Sequence, residues 1–283
     1  MKDPFKISEP TSISFSGGRT SGYMLWRVLQ SNGGTLPENT VVCFANTGKE
    51  RDETLDFVQE CSERWAVKIT WLEYDGKDEC GKKQFKIVDH SSASRNGEPF
   101  MRLIRDRQYL PNPVARFCTV ELKIRVIHRY LKSIGMSEWN SFIGIRADEP
   151  LRVAKIGNND YGKFETKEAP LARAGIAVAE VGKFWSEQPF DLKLPNMNGV
   201  TMHGNCDLCF LKGGNQILSL IRENPARAIW WIEAEAEALS SAPSGAFFRK
   251  DRPSYKSAYE MAINTTEMFP FHEESIECVG CTD

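Results

Sequence analysis

A short run of small residues, Ser16-Gly-Gly-Arg-Thr-Ser21, is the first segment whose residue types could do chemistry. It lies between an alternating apolar stretch containing Ile13 and Phe15 and a helical pattern that begins at Tyr23. A strand that delivers glycines and hydroxyls to a helix N-terminus points several backbone N–H groups and the positive end of the helix dipole at one place. Such a turn suits a phosphate or sulfate group, and Arg19 adds a fork of charged donors.

The eight cysteines are the second set of chemically capable residues. Cys206 with Cys209, and Cys278 with Cys281, have the Cys-x-x-Cys spacing that lets one turn present two sulfurs to one metal ion. Cys118 stands just before a helical pattern, a position that favours the thiolate form, which binds metals and attacks electrophiles. The remaining three stand alone and are expected to be buried as small apolar residues: Cys43, Cys61 and Cys80.

Composition limits the functions that these residues could serve. With 283 residues and 41% hydrophobic content, the chain can form one large domain, or one domain with a smaller appendage. The formal net charge of -2 gives no overall electrostatic reason to wrap nucleic acid, although a local basic patch stays open. No apolar run approaches the roughly 18 residues that a membrane span needs. These features predict a soluble, cytoplasmic protein without a membrane segment.

The elements that must position these residues alternate between strand and helix. Val41 to Phe44 is a second apolar run that ends in a turn and is followed by a helical pattern, and Val67 to Tyr74 alternates as a third strand. Strands alternating with helices of about 12 residues predict a right-handed βαβ sheet with ligand sites at the carboxyl ends of its strands. The segments 16–21 and 46–51 should therefore lie on the same edge.

The rest of the chain is predicted to be mainly helical, with one more strand at Trp139 to Ile145. The polar, lysine-rich stretch from Asp75 to Asn96 indicates a surface loop or lid. A soft boundary near residue 170 divides the chain into a nucleotide-binding α/β part, 1–170, and a cysteine-containing helical part, 171–283. Helices are predicted over Phe100–Tyr109, Val120–Ile134, Val178–Trp185, Asn215–Glu223 and Pro225–Leu239.

Five segments, in this order, together resemble the phosphoadenosine phosphosulfate (PAPS) reductase family of the PP-loop, or adenine nucleotide alpha hydrolase-like, superfamily. Each motif is weak to moderate alone, but the set is specific and covers roughly Ser12 to Lys212. The segments are Ser16-Gly-Gly-Arg-Thr-Ser21, Phe44-Ala-Asn-Thr-Gly-Lys-Glu50 with Glu53-Thr-Leu55, Arg116-Phe-Cys-Thr-Val-Glu-Leu-Lys123, Gly144-Ile-Arg146 and Gly204-Asn-Cys-Asp-Leu-Cys209.

The resemblance implies a Rossmann-like parallel sheet flanked by helices that binds an adenine nucleotide, either ATP or a sulfonucleotide (PAPS or APS), with Mg²⁺ as a further candidate. Arg146 would complete the anion site, and Thr20 stands where the family usually has an aspartate. The loss of that carboxylate leaves open whether the loop cleaves a nucleotide or only holds one. The implied nucleotide contacts are Ser16, Gly17, Gly18, Arg19, Thr20 and Ser21, with Thr47, Gly48 and Glu50 nearby.

Family members with an iron-sulfur cluster imply a metal centre. In them a cysteine pair before a helix and a later Cys-x-x-Cys bind a [4Fe-4S] cluster, with a lysine close by. Here Cys118 matches one member of the pair, Lys123 matches the lysine, and Thr119 replaces the second cysteine. Cys206 and Cys209 match the later motif. Either Cys281 or Cys278 completes the set, or the fourth iron is open and could carry sulfide. A zinc site formed by the four cysteines of the two Cys-x-x-Cys motifs is the alternative.

The tail around Glu277-Cys278 resembles the segment of the reductases that keeps a nucleophilic cysteine after a glutamate. In that interpretation the Cys278 thiolate attacks the sulfur of an adenylyl sulfate, and a thioredoxin-like thiol later cleaves the product. The alternatives are a cluster ligand or a disordered tail with incidental thiols.

The leading hypothesis is an enzyme, an oxidoreductase or sulfurtransferase, that performs sulfonucleotide reduction or ATP-dependent sulfur transfer with Cys278, Lys123 and Arg146 as catalytic residues. A nucleotide-sensing or scaffold protein of the same fold is one alternative. A nucleic-acid thiolation enzyme is another, and it would need a basic strip. Expected partners are a thioredoxin-like reductant or sulfur donor and a second copy in a homo-oligomer. The basic strip that nucleic-acid thiolation would need would include Lys77, Lys82, Lys83 and Lys86.

Overall fold

A six-stranded sheet forms the centre of the protein, whose computed structural model describes residues 3–156, 164–197, 200–201, 203–204, 206–241 and 245–264. Its strands are β1 (Thr11–Ser14), β2 (Thr40–Ala45), β3 (Ile69–Lys77), β4 (Lys83–Val88), β5 (Trp139–Ile143) and β6 (Glu165–Glu168). Their order across the sheet is β4-β3-β2-β1-β5-β6. The described neighbours pair in parallel, except that β3 and β4 are antiparallel.

Helices cover the sheet and form the C-terminal part. They are α1 (Arg19–Ser31), α2 (Asp52–Arg64), α3 (Glu98–Arg107), a π-helical turn (Thr119–Ile124) that leads into α4 (Arg125–Ser133), α5 (Pro150–Val153), α6 (Pro170–Arg173), α7 (Val178–Ser186), α8 (Gly214–Glu223), a 3₁₀ turn (Pro225–Ala228), α9 (Ile229–Ser241) and α10 (Tyr255–Asn264). A short hairpin pairs β7 (Asn196–Met197) with β8 (Val200–Thr201).

This architecture confirms the predicted α/β fold with a helical C-terminal part. Within the described residues, no helix is long and apolar enough to cross a membrane.

The strand register brings the predicted loops to one edge. Ser14, at the end of β1, is aligned with Cys43 of β2 on one side and with Ile143 of β5 on the other. Because these strands are parallel, the loops that follow them leave the sheet side by side. The glycine-rich loop, the 46–51 loop and the Gly-x-Arg segment therefore share an edge.

Two apolar cores lie on the two faces of the sheet. Val42 and Phe44 belong to one core and Cys43 to the other, since successive strand side chains point to opposite faces. The first core also contains Trp185 of α7, and the second contains Trp231 of α9. Each core thus combines residues from both sides of position 170, and the division at that position stays a prediction.

The lysine-rich stretch from 75 to 96 is not the loop that its composition predicts. It contains the end of β3 and the whole of β4, an antiparallel edge strand. The lysines obscured the alternation of inward and outward residues that is typical of a strand. In the structure Phe85 packs against the core, while Lys83 and Lys86 form ion pairs with the buried carboxylates of Glu121 and Glu73. The prediction of burial was also wrong for Cys80, which is exposed, and right for Cys43 and Cys61.

Candidate nucleotide and sulfur site

The glycine-rich loop ends at the N-terminus of α1, as its sequence predicts. Gly18 is the N-cap residue, in an extended conformation, and no side chain caps the first turn. The loop is held instead by its own hydroxyls, because Ser16 Oγ and Ser21 Oγ lie 3.0 Å apart and Ser21 Oγ donates to the Gly18 carbonyl oxygen at 2.9 Å. Helix N–H groups that no side chain caps, combined with the dipole, favour an anion at this point.

Two glycines let the loop take this path. Gly17 has a φ of +79°, and a Cβ atom there would lie 2.6 Å from Thr54 Cγ2 of α2. Gly144 follows β5, and a Cβ atom there would lie 3.2 Å from the Cα atom of Ser21. The absence of side chains at these positions packs the loop against α2 and brings the segment after β5 against it.

Arg146 reaches the loop because of this close approach. Its Nη1 donates to Thr20 Oγ1 at 2.9 Å, and its Nε donates to Asp148 Oδ1 at 3.0 Å. The Arg146 backbone N–H donates to Glu149 at 2.8 Å, which fixes the start of this turn. The predicted arginine is therefore beside the predicted loop, and Thr20 accepts its hydrogen bond without neutralising its charge.

Arg19 occupies a different place from the one its position in the loop suggests. Its guanidinium forms a bidentate pair with Asp191 at 2.7 Å, donates to Thr201 Oγ1 at 2.8 Å, and donates to the carbonyl oxygens of Leu192 and Leu194. Only 2% of Arg19 is exposed. Its side chain therefore holds residues 191–194 and Thr201 onto α1.

The second loop joins three of the motifs that the sequence singles out. Glu50 accepts hydrogen bonds from Thr47, from the backbone N–H and from the hydroxyl, both at 2.8 Å. Lys123 Nζ lies 3.6 Å from Glu50 Oε1. Cys206 Sγ lies 3.6 Å from Thr47 Oγ1 and 3.9 Å from Glu50 Oε1. A carboxylate, an ammonium group and a thiol from distant parts of the chain thus meet on the same sheet edge as the glycine-rich loop.

Comparison with known proteins assigns this arrangement to a family. The family model described as "Phosphoadenosine phosphosulfate reductase domain" matches residues 10–163, which include both loops, Lys123 and Arg146. The chain belongs to the phosphoadenosine phosphosulfate reductase domain family. An uncharacterized nin region protein of Escherichia phage lambda, ORF290, is 32% identical over 214 residues, 72% of this chain and 67% of that protein.

A second relative, an uncharacterized protein of Methanocaldococcus jannaschii, is 25% identical over 169 residues. Those residues are 59% of this chain but only 29% of the archaeal protein. The cysteine turn at 206–209 lies beyond the matched reductase domain, so its placement beside the loops comes from the structure alone.

In this family member the cysteine turn is fixed by backbone contacts. Asp207 N–H donates to the carbonyl oxygen of Lys49 at 2.6 Å, and the Tyr255 hydroxyl of α10 donates to the carbonyl oxygen of Leu208. Leu208 has a φ of +47°, which a non-glycine residue rarely adopts. Cys209 and Cys118 both pack against the apolar core that contains Trp231. The turn is therefore held between the loop that contains Lys49 and helix α10.

The metal centre that the family resemblance implies stays a prediction, because two of its candidate ligands lie outside the described residues. Within the described ranges, no three His, Cys, Asp or Glu side chains are grouped so that they could hold a metal ion. Cys206 lies beside Thr47 and Glu50. Cys278 and Cys281 lie outside the described residues, so the cluster and its zinc alternative stay predictions.

A cavity of about 550 Å³ beside the second loop is the part of the site that sequence reasoning missed. Arg51, only 6% exposed, lies in its wall, and Trp230 of α9 faces Lys49 with the ammonium nitrogen 5.0 Å from the ring centroid. Burial lowers the pKa of Lys49, and burial raises the pKa of Asp207, although nearby cations oppose that rise. No spacing in the sequence connects α9 with this loop, so sequence patterns could not place Trp230 here.

Proposed function

We propose that this protein is an enzyme that binds an adenine nucleotide on the 16–21 loop and uses it in sulfur chemistry, either sulfonucleotide reduction or ATP-dependent sulfur transfer. The observation that carries the proposal is Arg146 donating to Thr20 at the first turn of α1, which no side chain caps. Backbone N–H groups, the helix dipole and a guanidinium then converge on one anion. Membership in the reductase family supports the proposal that this anion belongs to a nucleotide.

The neighbouring thiol supports the sulfur chemistry. The Lys123 ammonium group lies within ion-pair distance of Glu50, and Cys206 contacts the same carboxylate. A cation at this place would stabilise negative charge that develops when a sulfur or phosphate bond breaks. In the reduction route, the Cys278 thiolate displaces the nucleotide from the sulfur to form a thiosulfonate. A dithiol reductant of the thioredoxin class then releases sulfite and becomes a disulfide.

The decisive experiment for the nucleotide site is a calorimetric titration of ATP, ADP and APS into the full chain and into Arg146→Gln. We expect an about tenfold to hundredfold weaker affinity in the variant, because a charge-assisted contact is lost. Arg102→Gln is the matched control, since Arg102 is exposed and pairs with Asp75 elsewhere. Equal affinities of the protein and Arg146→Gln would refute the assignment of the loop.

Product assays separate the catalytic proposal from the sensor alternative. Sulfite from APS with a dithiol reductant would identify the reductase, and pyrophosphate from ATP would identify sulfur transfer. Tight nucleotide binding with neither product would favour a sensor. The thiolation alternative gains no support from the proposed basic strip, because Lys77, Lys83 and Lys86 each form an ion pair with a carboxylate.

Spectroscopy under anaerobic conditions tests the cluster independently. We expect broad visible iron-sulfur absorbance that Cys206→Ser abolishes. Cys43→Ser is the control, because burial raises the pKa of the Cys43 thiol to about 12 and keeps it inert in the core. Stoichiometric zinc without visible absorbance would overturn the cluster and leave the nucleotide proposal standing.

A further inference from the structure

We infer that the cavity around Arg51 is a second anion-binding site, which takes the phosphoryl or sulfuryl group of a small ester other than the nucleotide held by the 16–21 loop. The cavity lies between the start of α2 on one side and the 3₁₀ turn and the start of α9 on the other. No residue of the 16–21 loop lines it. The inference does not depend on which nucleotide the first loop binds.

The buried guanidinium of Arg51 is the main reason for this assignment. Its Nε and Nη2 atoms are buried and have no hydrogen-bond partner among the described residues. The nearest carboxylate oxygens are Asp207 Oδ1, 3.7 Å from Nε, and Glu223 Oε1, 3.5 Å from Nη2. Neither oxygen makes a hydrogen bond with these two nitrogen atoms. Buried donors without acceptors cost free energy, which the oxygens of a bound anion would recover.

The distribution of charge favours an anion at the deep end of the cavity. Lys49 and Arg51 are 7% and 6% exposed, and Arg227 lies 3.9 Å from Asp207 and 3.3 Å from Glu223, so three cations face two carboxylates. The Glu50 carboxylate accepts hydrogen bonds from Thr47 and lies 3.6 Å from the Lys123 ammonium nitrogen. Three other acidic residues of the wall lie nearer to solvent: Asp52, Glu53 and Glu233. Asp52 forms an ion pair with Arg95 there.

Local backbone structure adds to this attraction. Arg51 is the N-cap residue of α2, a 13-residue helix whose N-terminus no side chain caps. The positive end of its dipole therefore lies at the cavity. The volume is in the range of small-molecule sites, and the indole of Trp230 offers a flat apolar wall for the remainder of an ester. A small phosphate or sulfate ester fits these features.

The position of the cavity suggests the role of this ligand. Glu50 is part of its wall and also contacts Cys206 and Lys123. An ester anchored at Arg51 would therefore be next to the thiol and ammonium group of the proposed sulfur site. Under the proposed function, the ester is a second substrate that delivers or receives the sulfur.

The test follows the indole N–H resonance of Trp230 in NMR spectra of the full chain while inorganic phosphate or sulfate is added. Trp230→Phe identifies the resonance by removing it. We expect a saturable shift in the unmodified protein, at least about tenfold weaker binding in Arg51→Met, and a smaller loss in Arg227→Gln. A stronger response to phosphate would identify a phosphate ester, and a stronger response to sulfate a sulfate ester.

The controls separate this site from the nucleotide loop and from misfolding. Arg102→Gln and Arg146→Gln should keep the Trp230 shift, whereas Arg146→Gln alone should lose nucleotide affinity. Arg227 is half-buried, so its variant remains informative if Arg51→Met fails to fold. The inference is overturned if the unmodified protein shows no saturable shift, or if folded Arg51→Met and Arg227→Gln both bind as the unmodified protein does.

Discussion

The glycine-rich loop, residues 16–21, and the C-terminal helical layer, which comprises residues 206–241 and 245–264, are built from different chemistry. The loop uses backbone N–H groups and the hydroxyls of Ser16, Thr20 and Ser21. The C-terminal layer contributes buried ionisable groups, above all Asp207 and Glu235, whose pKa values are raised by burial. The loop should therefore be sensitive to added volume, and the C-terminal layer to pH.

The two regions also differ in how they are stabilised. Gly17 and Gly144 allow contacts that any larger residue would break, so the loop depends on steric fit. Glu235 is 7% exposed and accepts a hydrogen bond from the Tyr255 N–H of α10 at 2.8 Å, so the helical layer depends on polar groups that burial penalises. Four substitutions test this contrast, in decreasing order of expected effect.

Gly17→Ala should destabilise the protein most, by about 2–5 kcal/mol, because a left-handed φ and a 2.6 Å contact with Thr54 add together. Denaturant unfolding measures the change. Gly33→Ala is the matched control, since Gly33 has a φ of +81° but no atom within 4 Å of its Cβ position. Equal losses in both variants would show that backbone strain, and not steric fit, dominates the loop.

Arg19→Lys should cost about 2–4 kcal/mol of unfolding free energy, because an ammonium group cannot replace the fork that holds Asp191, Thr201 and two carbonyl oxygens. Nucleotide affinity of the folded variant should change little. Calorimetry and thermal unfolding measure both quantities. A large loss of nucleotide affinity with unchanged stability would indicate that the Arg19 guanidinium binds the phosphate.

Glu235→Gln should remove a pH dependence of stability. Burial raises the pKa of Glu235 to about 7, so the folded state binds more protons than the unfolded state between the ordinary glutamate value and pH 7. The unfolding free energy of the unmodified protein should fall as pH rises through this window. We expect Glu235→Gln to be more stable at pH 8 by about 1–2 kcal/mol, after allowance for solvent screening, and similar at pH 4.

Denaturant unfolding at several pH values measures this difference. A parallel pH dependence in the protein and in Glu235→Gln would assign the effect to other groups of the C-terminal layer. Asp207 is the first of these, because burial also raises its pKa.

Thr20→Val should have the smallest effect, a loss of about 1 kcal/mol in stability and a several-fold weaker nucleotide affinity, because Arg146 loses one acceptor. Thr20→Ser is the rescue control, since it keeps the hydroxyl. If Thr20→Ser loses as much as Thr20→Val, the γ-methyl group that serine lacks matters as well as the hydroxyl.

Much of the fold follows from local pattern. The alternation of Ile13 with Phe15 and the helical spacing after Tyr23 place a strand, a glycine turn and a helix in order, and the structure has them there. β4 was missed because Lys83 and Lys86 looked like solvated charges, whereas each reaches a buried carboxylate from a different segment. Periodicity records which face a residue occupies and carries no information about a distant partner.

The sequence alone was enough to identify the glycine loop, the arginine after β5 and the family, because each depends on residue types at short, fixed spacing. Tertiary structure was needed to show that Arg19 turns away to Asp191, that Cys206 meets Glu50, and that Arg51 lines a cavity with Trp230 while two of its buried donors have no hydrogen-bond acceptor among the described residues. Those contacts join segments separated by more than a hundred residues. Their energy depends on burial, and burial is decided only when the two cores on the sheet have formed.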